Sequence, residues 1–422
     1  MTCFRLALFS LALCFPAVAH SQGTEAALAA IEKCHDTSCS WFSLGNFEGL
    51  TEIPPEVLKL TSLQALSLGS KSTFTDLTPL QKMPWLQTLD LTGASSVDLA
   101  DINELKALQT LVLARVPEID LSEIAAFKAL TSLDLSRSGV TDLGPLASLT
   151  ALRSLSIKDT QVNNLRPLSG LRAMEDLTLD TTPVWDIAPL AALSGLRRLS
   201  FSGTPVDDIS AVGAMSGLQY LSLRYSKVTS LAPLADLHGL KEIWIENTPI
   251  TDLRPLAGLT GLRMLGLSGT AINDLSGLEN MQGLTELSFI QSPVIDLAPL
   301  AKARSLRYLK LDRSEVTDLS SLADLSNLTD ISLTDAKVTR LDALAKSTGM
   351  RKITATDSGL ADLSALKNMN ALEELSIGGT KVTDLSALIG LPKLNTLDIT
   401  GLALTDPNQI VILKDQGVSI RQ

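Results

Sequence analysis

The hexads LRSLSI at Leu152, MEDLTL at Met174, LRRLSF at Leu196, LQYLSL at Leu218, LKEIWI at Leu240 and LRMLGL at Leu262 follow one another at a constant step of 22 residues. The pattern L-x-x-L-x-L, with Ile, Met or Phe admitted, continues from Leu86 to Leu394 without insertion, and Leu63 opens an earlier copy one residue longer. Sixteen copies fill most of the 422 residues. A sustained period of this length specifies stacked coils, because one unit cannot bury its own apolar residues and a continuous core forms only when neighbours cover them.

Within each hexad, alternation turns the second and third apolar residues inward on a short strand and leaves the residues between them outside. Strands about 4.8 Å apart would give a parallel ribbon of roughly 75 Å for the sixteen coils. The returning half of the coil carries Asp at one slot, as Asp142, Asp186, Asp252, Asp274, Asp296, Asp318, Asp362 and Asp384, often with Pro three places on. An Asp ladder also raises the question of calcium. Each coil offers only one carboxylate, however, and lacks the Gly-rich nonapeptide of calcium solenoids. The ladder therefore reads as capping: Asp accepts from free N–H groups at the start of a helical turn, and Pro145, Pro189, Pro255 and Pro299 fit a first turn that needs no donor.

The hexad and its continuation V-T-D-L-x-P-L-x-x-L, as in Val140 to Leu149 and Ile250 to Leu259, resemble the 22-residue repeats of bacterial leucine-rich-repeat proteins of the internalin kind. The resemblance implies an α/β repeat solenoid, a horseshoe with a parallel β-sheet on the concave face and short helical turns or loops on the convex face. Internalin-like repeats usually place Asn three residues after the last strand leucine. Here Ser or Thr stands there, from Ser138, Thr160, Thr182 and Thr204 through Ser226, Thr248 and Thr270 to Ser292, Ser314, Ser358 and Thr380. A hydroxyl can bond local backbone too, with fewer donors than an amide.

The chain opens on Arg5, an apolar run from Leu6 to Phe15 and the small-residue site Ala17-Val18-Ala19, which reads as a signal peptide over residues 1–19. The run is short of the roughly 20 residues of a spanning helix. Its removal takes away Cys3 and Cys14 and leaves Cys34 and Cys39, five positions apart, as a disulfide in an oxidising compartment. The rival use of these cysteines, a metal site with His35, finds no second ligand pair. Residues 20–50 are expected to form an N-terminal cap that Trp41 closes, residues 51–405 the solenoid, and residues 406–422 a C-terminal cap of one helix and a last strand. A net charge of −11, with no basic run, argues against a nucleic-acid binder.

Aromatics make up only 4% of the chain, and their placement is uneven. Counted from the first leucine, the outward slots are the third, fifth and seventh, with the eighth at the rim. Tyr220 and Tyr308 occupy third slots and Tyr225 an eighth, which accounts for all three tyrosines; Trp244, Met264 and Ile290 add bulk in the coils between them. Charges of both signs surround them, Arg198, Arg224, Glu242, Glu246 and Arg313 among others. Aromatic residues and arginine amid mixed charge are the composition of protein-binding hot spots. The plainer alternative is that these side chains only stack on one another to shield the sheet.

No Ser or Cys with a supporting His is visible, His238 falls in a turn, and there is no phosphate-cradling glycine loop. The sequence therefore predicts an exported, non-enzymatic recognition module without a cofactor, periplasmic or secreted and monomeric, that binds a protein or peptide on the concave face. The alternative is an envelope structural or adhesive protein that binds carbohydrate or associates with itself.

Overall fold

A computed structural model describes residues 16–69 and 74–422. Most of the expected signal peptide, residues 1–15, lies outside the described residues, and residues 16–19 begin the helix Pro16–Thr37. No helix among the described residues is long and apolar enough to cross a membrane.

The chain divides into two compact units, residues 1–162 and 163–422. In the first, parallel strands run in chain order from Trp41–Ser43 through Ala65–Ser67, Thr88–Asp90, Thr110–Val112 and Ser132–Asp134 to Ser154–Ser156. The helix Pro16–Thr37 precedes the first strand, and a Cys34–Cys39 disulfide with Cα atoms 5.0 Å apart closes the loop between them. On the returning side of two coils, Ser96–Val97 pairs with Glu118–Ile119 as a separate two-stranded ribbon, which periodicity alone does not reveal.

In the second unit, parallel three-residue strands follow from Asp176–Thr178 to Thr396–Asp398 at the 22-residue register, Arg198 opposite Tyr220 and Tyr220 opposite Glu242. The helix Asn408–Asp415 and the strand Ser419–Arg421 complete it, the strand pairing with Thr396–Asp398.

Each coil buries an apolar set at fixed places. In the coil that begins at Leu218 the set is Leu218, Leu221, Leu223, Val228, Leu231, Leu234 and Leu237, every one at most 2% exposed. Burying a side chain of this size contributes about 1.5–3 kcal/mol. In two coils Phe replaces the last strand leucine, and these residues, Phe201 and Phe289, are fully buried.

The returning limbs form short 3-10 turns rather than α-helices, such as Gly144–Ser148, Ala188–Leu190, Arg254–Leu256 and Ala298–Leu300, each with Pro in its first two positions. The capping carboxylates act one residue earlier than a regular N-cap. Each accepts the N–H two residues on, Gly144 to Asp142, Ala188 to Asp186, Ala298 to Asp296 and Ser320 to Asp318, at 2.8–2.9 Å. These are Asx-turns that lead the chain into the 3-10 turn.

The bonds also set the acidity of the carboxyls. The Ser320 backbone N–H and then its hydroxyl hold Asp318 below the ordinary carboxylate value of 3.8; Ser364 does the same for Asp362 and Ser386 for Asp384. A carboxyl whose folded pKa lies below its unfolded one stabilises the fold above the unfolded value and loses that contribution as pH falls through the folded value. The melting temperature is therefore expected to hold steady from neutral pH to about pH 5 and to decline below about pH 4. Thermal melts across that range check this; a flat profile down to pH 3 would show that the Asx-turns contribute nothing.

The threonines of the hydroxyl ladder bond within their own coils, whereas the hydroxyls of Ser226 and Ser314 are buried without a hydrogen-bond partner among the described residues. Thr160, Thr182, Thr204, Thr248 and Thr270 are buried, and each donates to the carbonyl three residues back in its own coil at 2.6–2.7 Å. Ser292 departs from this and donates to the Ile272 carbonyl of the preceding coil at 2.8 Å.

Candidate functional site

The strands of the second unit bring the sequence-predicted residues onto one face and one rim. Slot three forms the row Arg198, Tyr220, Glu242, Met264, Glu286, Tyr308, each residue directly opposite the next. Slot five carries Ser222, Trp244, Gly266, Ser288 and Lys310 in the same register. Arg224, Glu246 and Ile290 stand one strand position beyond, half-buried, and Tyr225 and Arg313 lie exposed at the rim. Tyr225 is 64% exposed and Tyr308 45%, whereas Tyr220, Trp244 and Met264 are half-buried.

The stacking raised as the plainer alternative is present, and it is specific. The Arg198 guanidinium lies 4.1 Å from the centre of the Tyr220 ring, and that of Arg224 lies 4.4 Å from the Trp244 ring. Both are cation–π distances. Arg224 Nε also donates to Glu246 Oε2 at 2.8 Å, and Arg198 approaches Asp176 at 3.6 Å. Arginine, ring and carboxylate thus hold one another, which fixes the Trp244 indole before any partner arrives.

Gly266 gives Trp244 its seat. A Cβ at Gly266 would stand 2.5 Å from Trp244 Cε3 and 2.5 Å from Glu246 Oε1. Only a residue without a side chain lets the indole and the carboxylate spread over the next strand.

The rim slot has its own backbone rule. At the eighth position φ is positive throughout this stretch, at Thr181, Gly203, Tyr225, Asn247, Gly269, Gln291 and Arg313. The turn lets the N–H extend the ladder into the next coil: Gly203 donates to the Arg224 carbonyl at 2.7 Å and Tyr225 to that of Glu246 at 2.9 Å. Glycine fits there without strain, while an L-residue in the left-handed region costs about 1–2 kcal/mol. Tyr225, at φ 54°, bears that cost on a ring that is mostly in solvent. Tyr225→Gly is therefore expected to stabilise the chain by roughly 0.5–1 kcal/mol, after the added freedom of the unfolded glycine is deducted, while weakening partner binding. Paired urea titrations and binding isotherms check this, and binding unchanged in the variant would remove Tyr225 from the site.

Trp41 corrects the sequence reading. It was expected to close the N-terminal cap, but it is 60% exposed and stands opposite Ala65, in a third slot of the first unit's sheet. By this register Cys39 takes the place of the first hexad leucine. Phe42 within that strand and Leu44 just after it are the buried residues there. Trp185 is 65% exposed beside Asp186 on the returning limb, away from the site, and His238 is exposed in its turn, its Nδ1 3.2 Å from the Gly258 carbonyl.

Parallel three-residue strands at a 22-residue register, each followed by a capped 3-10 turn, define a leucine-rich-repeat protein, and its repeats are internalin-like. A family model for leucine-rich repeats, spanning two copies, matches residues 216–258, within the candidate site. Comparison with curated proteins by sequence finds no match. Among solved structures, the chain is similar to an internalin, InlF, of Listeria monocytogenes, with 25% identity and a TM-score of 0.66 over 72% of this chain and 89% of that one. It is also similar to a leucine-rich-repeat protein of Leptospira interrogans, with 20% identity and a TM-score of 0.72 over 93% of this chain and 98% of the other. A plant peptide hormone receptor, RGFR1, solved in complex with RGF2, shares the fold at 18% identity and a TM-score of 0.66, with 85% of this chain and 62% of the receptor covered.

Proposed function

We propose that the chain is an exported, non-enzymatic recognition module that binds a protein or peptide on the sheet face of its second unit, centred on Tyr220, Arg224, Tyr225, Trp244 and Glu246. The observation that carries this reading is the pre-ordered Arg224–Trp244–Glu246 group, flanked by a strained, solvent-facing Tyr225. Fixing an aromatic anchor before binding lowers the entropy cost of association, and Trp, Tyr and Arg are the residues that most often carry interface energy. Arg198, Glu242, Met264, Ile290, Tyr308 and Arg313 widen the surface around that centre. The plant receptor seen with RGF2 is a case of this fold holding a partner. Export rests on the sequence of residues 1–19, and the Cys34–Cys39 disulfide suits an oxidising compartment.

The test is a hydrogen-exchange footprint. The chain is used to capture partners from envelope extracts, and the exchange of the free and the loaded chain is compared. Protection is expected at the strands from Arg198–Ser200 to Tyr308–Lys310. Protection confined to the 3-10 turns would place the partner on the opposite side and end the proposal. Loss of the captured material on glycosidase treatment, or a stable dimer on sizing, would favour the adhesive or self-associating reading instead.

A further inference from the structure

The sequence offers this face a balance of positive and negative groups, but the structure spends them unequally. Arg198 is engaged by Tyr220 and Asp176, Arg224 by Trp244 and Glu246, and Arg313 by Asp335 at 3.9 Å. Glu242 and Glu286 stand in the same row on either side of Met264, two strand spacings or about 10 Å apart. Both are half-buried, and among the described residues no Lys, Arg or His forms an ion pair with either. Lys310 lies beyond Tyr308, where it lines a cavity of about 190 Å³ together with Asp330 and Lys352. Lys352 is itself paired with Glu374 at 2.6 Å.

The floor between the two carboxylates is apolar, with Met264 at its centre and Gly266 beside it. A long basic side chain matches such a place, since its methylene stem can lie on the thioether while its charged head reaches a carboxylate. The exposed ring of Tyr308, opposite Glu286 and with no arginine stacked on it among the described residues, offers a second contact for a cation. The chain's net charge of −11 would draw a positive partner toward the face and slow a negative one.

We infer that the partner's docking segment is basic, a stretch of peptide whose Lys or Arg side chains are taken by Glu242 and Glu286 across Met264. The inference rests on the sheet-face reading above and names the chemistry of its ligand. A displayed random-peptide library panned on the full chain tests it. Selected peptides are synthesised and titrated against the native chain, Glu242→Gln/Glu286→Gln and Tyr220→Ala/Trp244→Ala.

Enrichment of Lys and Arg is expected, with affinity falling roughly 3- to 10-fold in the double Gln variant and falling also as salt is raised. The Gln side chains keep size and polarity, so the melting temperature is expected to stay within error of native and the loss to be read as one of charge. Selected peptides without basic residues, or peptides that bind the double Gln variant undiminished, overturn the inference while leaving the sheet-face reading standing. Peptides that bind the Tyr220/Trp244 variant as tightly as native overturn the sheet-face reading itself, and failure to enrich any peptide overturns both.

Discussion

Tyr220→Ala/Trp244→Ala is expected to weaken partner binding by on the order of 2 kcal/mol or more, about 30-fold in Kd, with little change in melting temperature. Both rings stand outside the core, over strands whose inward residues Leu221 and Ile243 are fully buried and untouched by the change. Truncation leaves Arg198 and Arg224 without the rings they cover, but each keeps its carboxylate, Asp176 or Glu246. Both pairs survive the truncation, the exposed Arg198–Asp176 pair and the half-buried Arg224–Glu246 pair, so unfolding should register the change weakly. Isothermal titration of a captured partner alongside calorimetric melts separates the two quantities. Unaltered affinity in the double variant would move the site elsewhere on the molecule.

Phe289→Ala is expected to show the opposite pattern, a loss of about 3–5 kcal/mol from stability with no group on the proposed binding face altered. Phe289 is fully buried where most coils have Leu, directly after the strand Glu286–Ser288, and its N–H donates to the Lys310 carbonyl at 3.1 Å. A solenoid transmits such damage to nearest neighbours first. Amide exchange should therefore accelerate in the coils beginning at Leu262, Leu284 and Leu306 before it does near Leu372. Uniform acceleration through the second unit would show that the unit unfolds as a single cooperative block.

The coil architecture was legible in the sequence because one number, the step of 22, settles which residues face inward. Leu221 and Leu223 are buried, and Tyr220, Trp244 and Tyr308 stand in outward slots, as the alternation requires. Periodicity does not say how outward residues arrange themselves among their neighbours. That Arg224 lies on Trp244 rather than reaching solvent depends on rotamers and on the missing Cβ of Gly266, a single residue whose importance no pattern reveals. The imbalance left at Glu242 and Glu286 follows from those pairings, so a count of charges could not show it.

One misreading and one feature not visible in the sequence pattern have local causes. The expectation that Trp41 closes the cap fails because the register places Cys39 at the first leucine position and Trp41 in an outward third slot. The left-handed rim was hidden because Asp, Asn, Gln, Arg and Gly share that slot with Thr181 and Tyr225, so glycine does not stand out. A slot that collects such residues coil after coil is itself the signal that would have found it.

The hydroxyl ladder has a consequence for how such a chain can change length. Thr160, Thr182, Thr204, Thr248 and Thr270 each bond within their own coil, so this ladder makes no tie from one coil to the next. Duplicating or excising a block of 22 residues at those places would strand none of these threonine hydroxyls, and the number of coils could be raised or lowered in whole steps. Near Ser292, whose hydroxyl leans on its predecessor, the same cut would sever a bond and leave a scar.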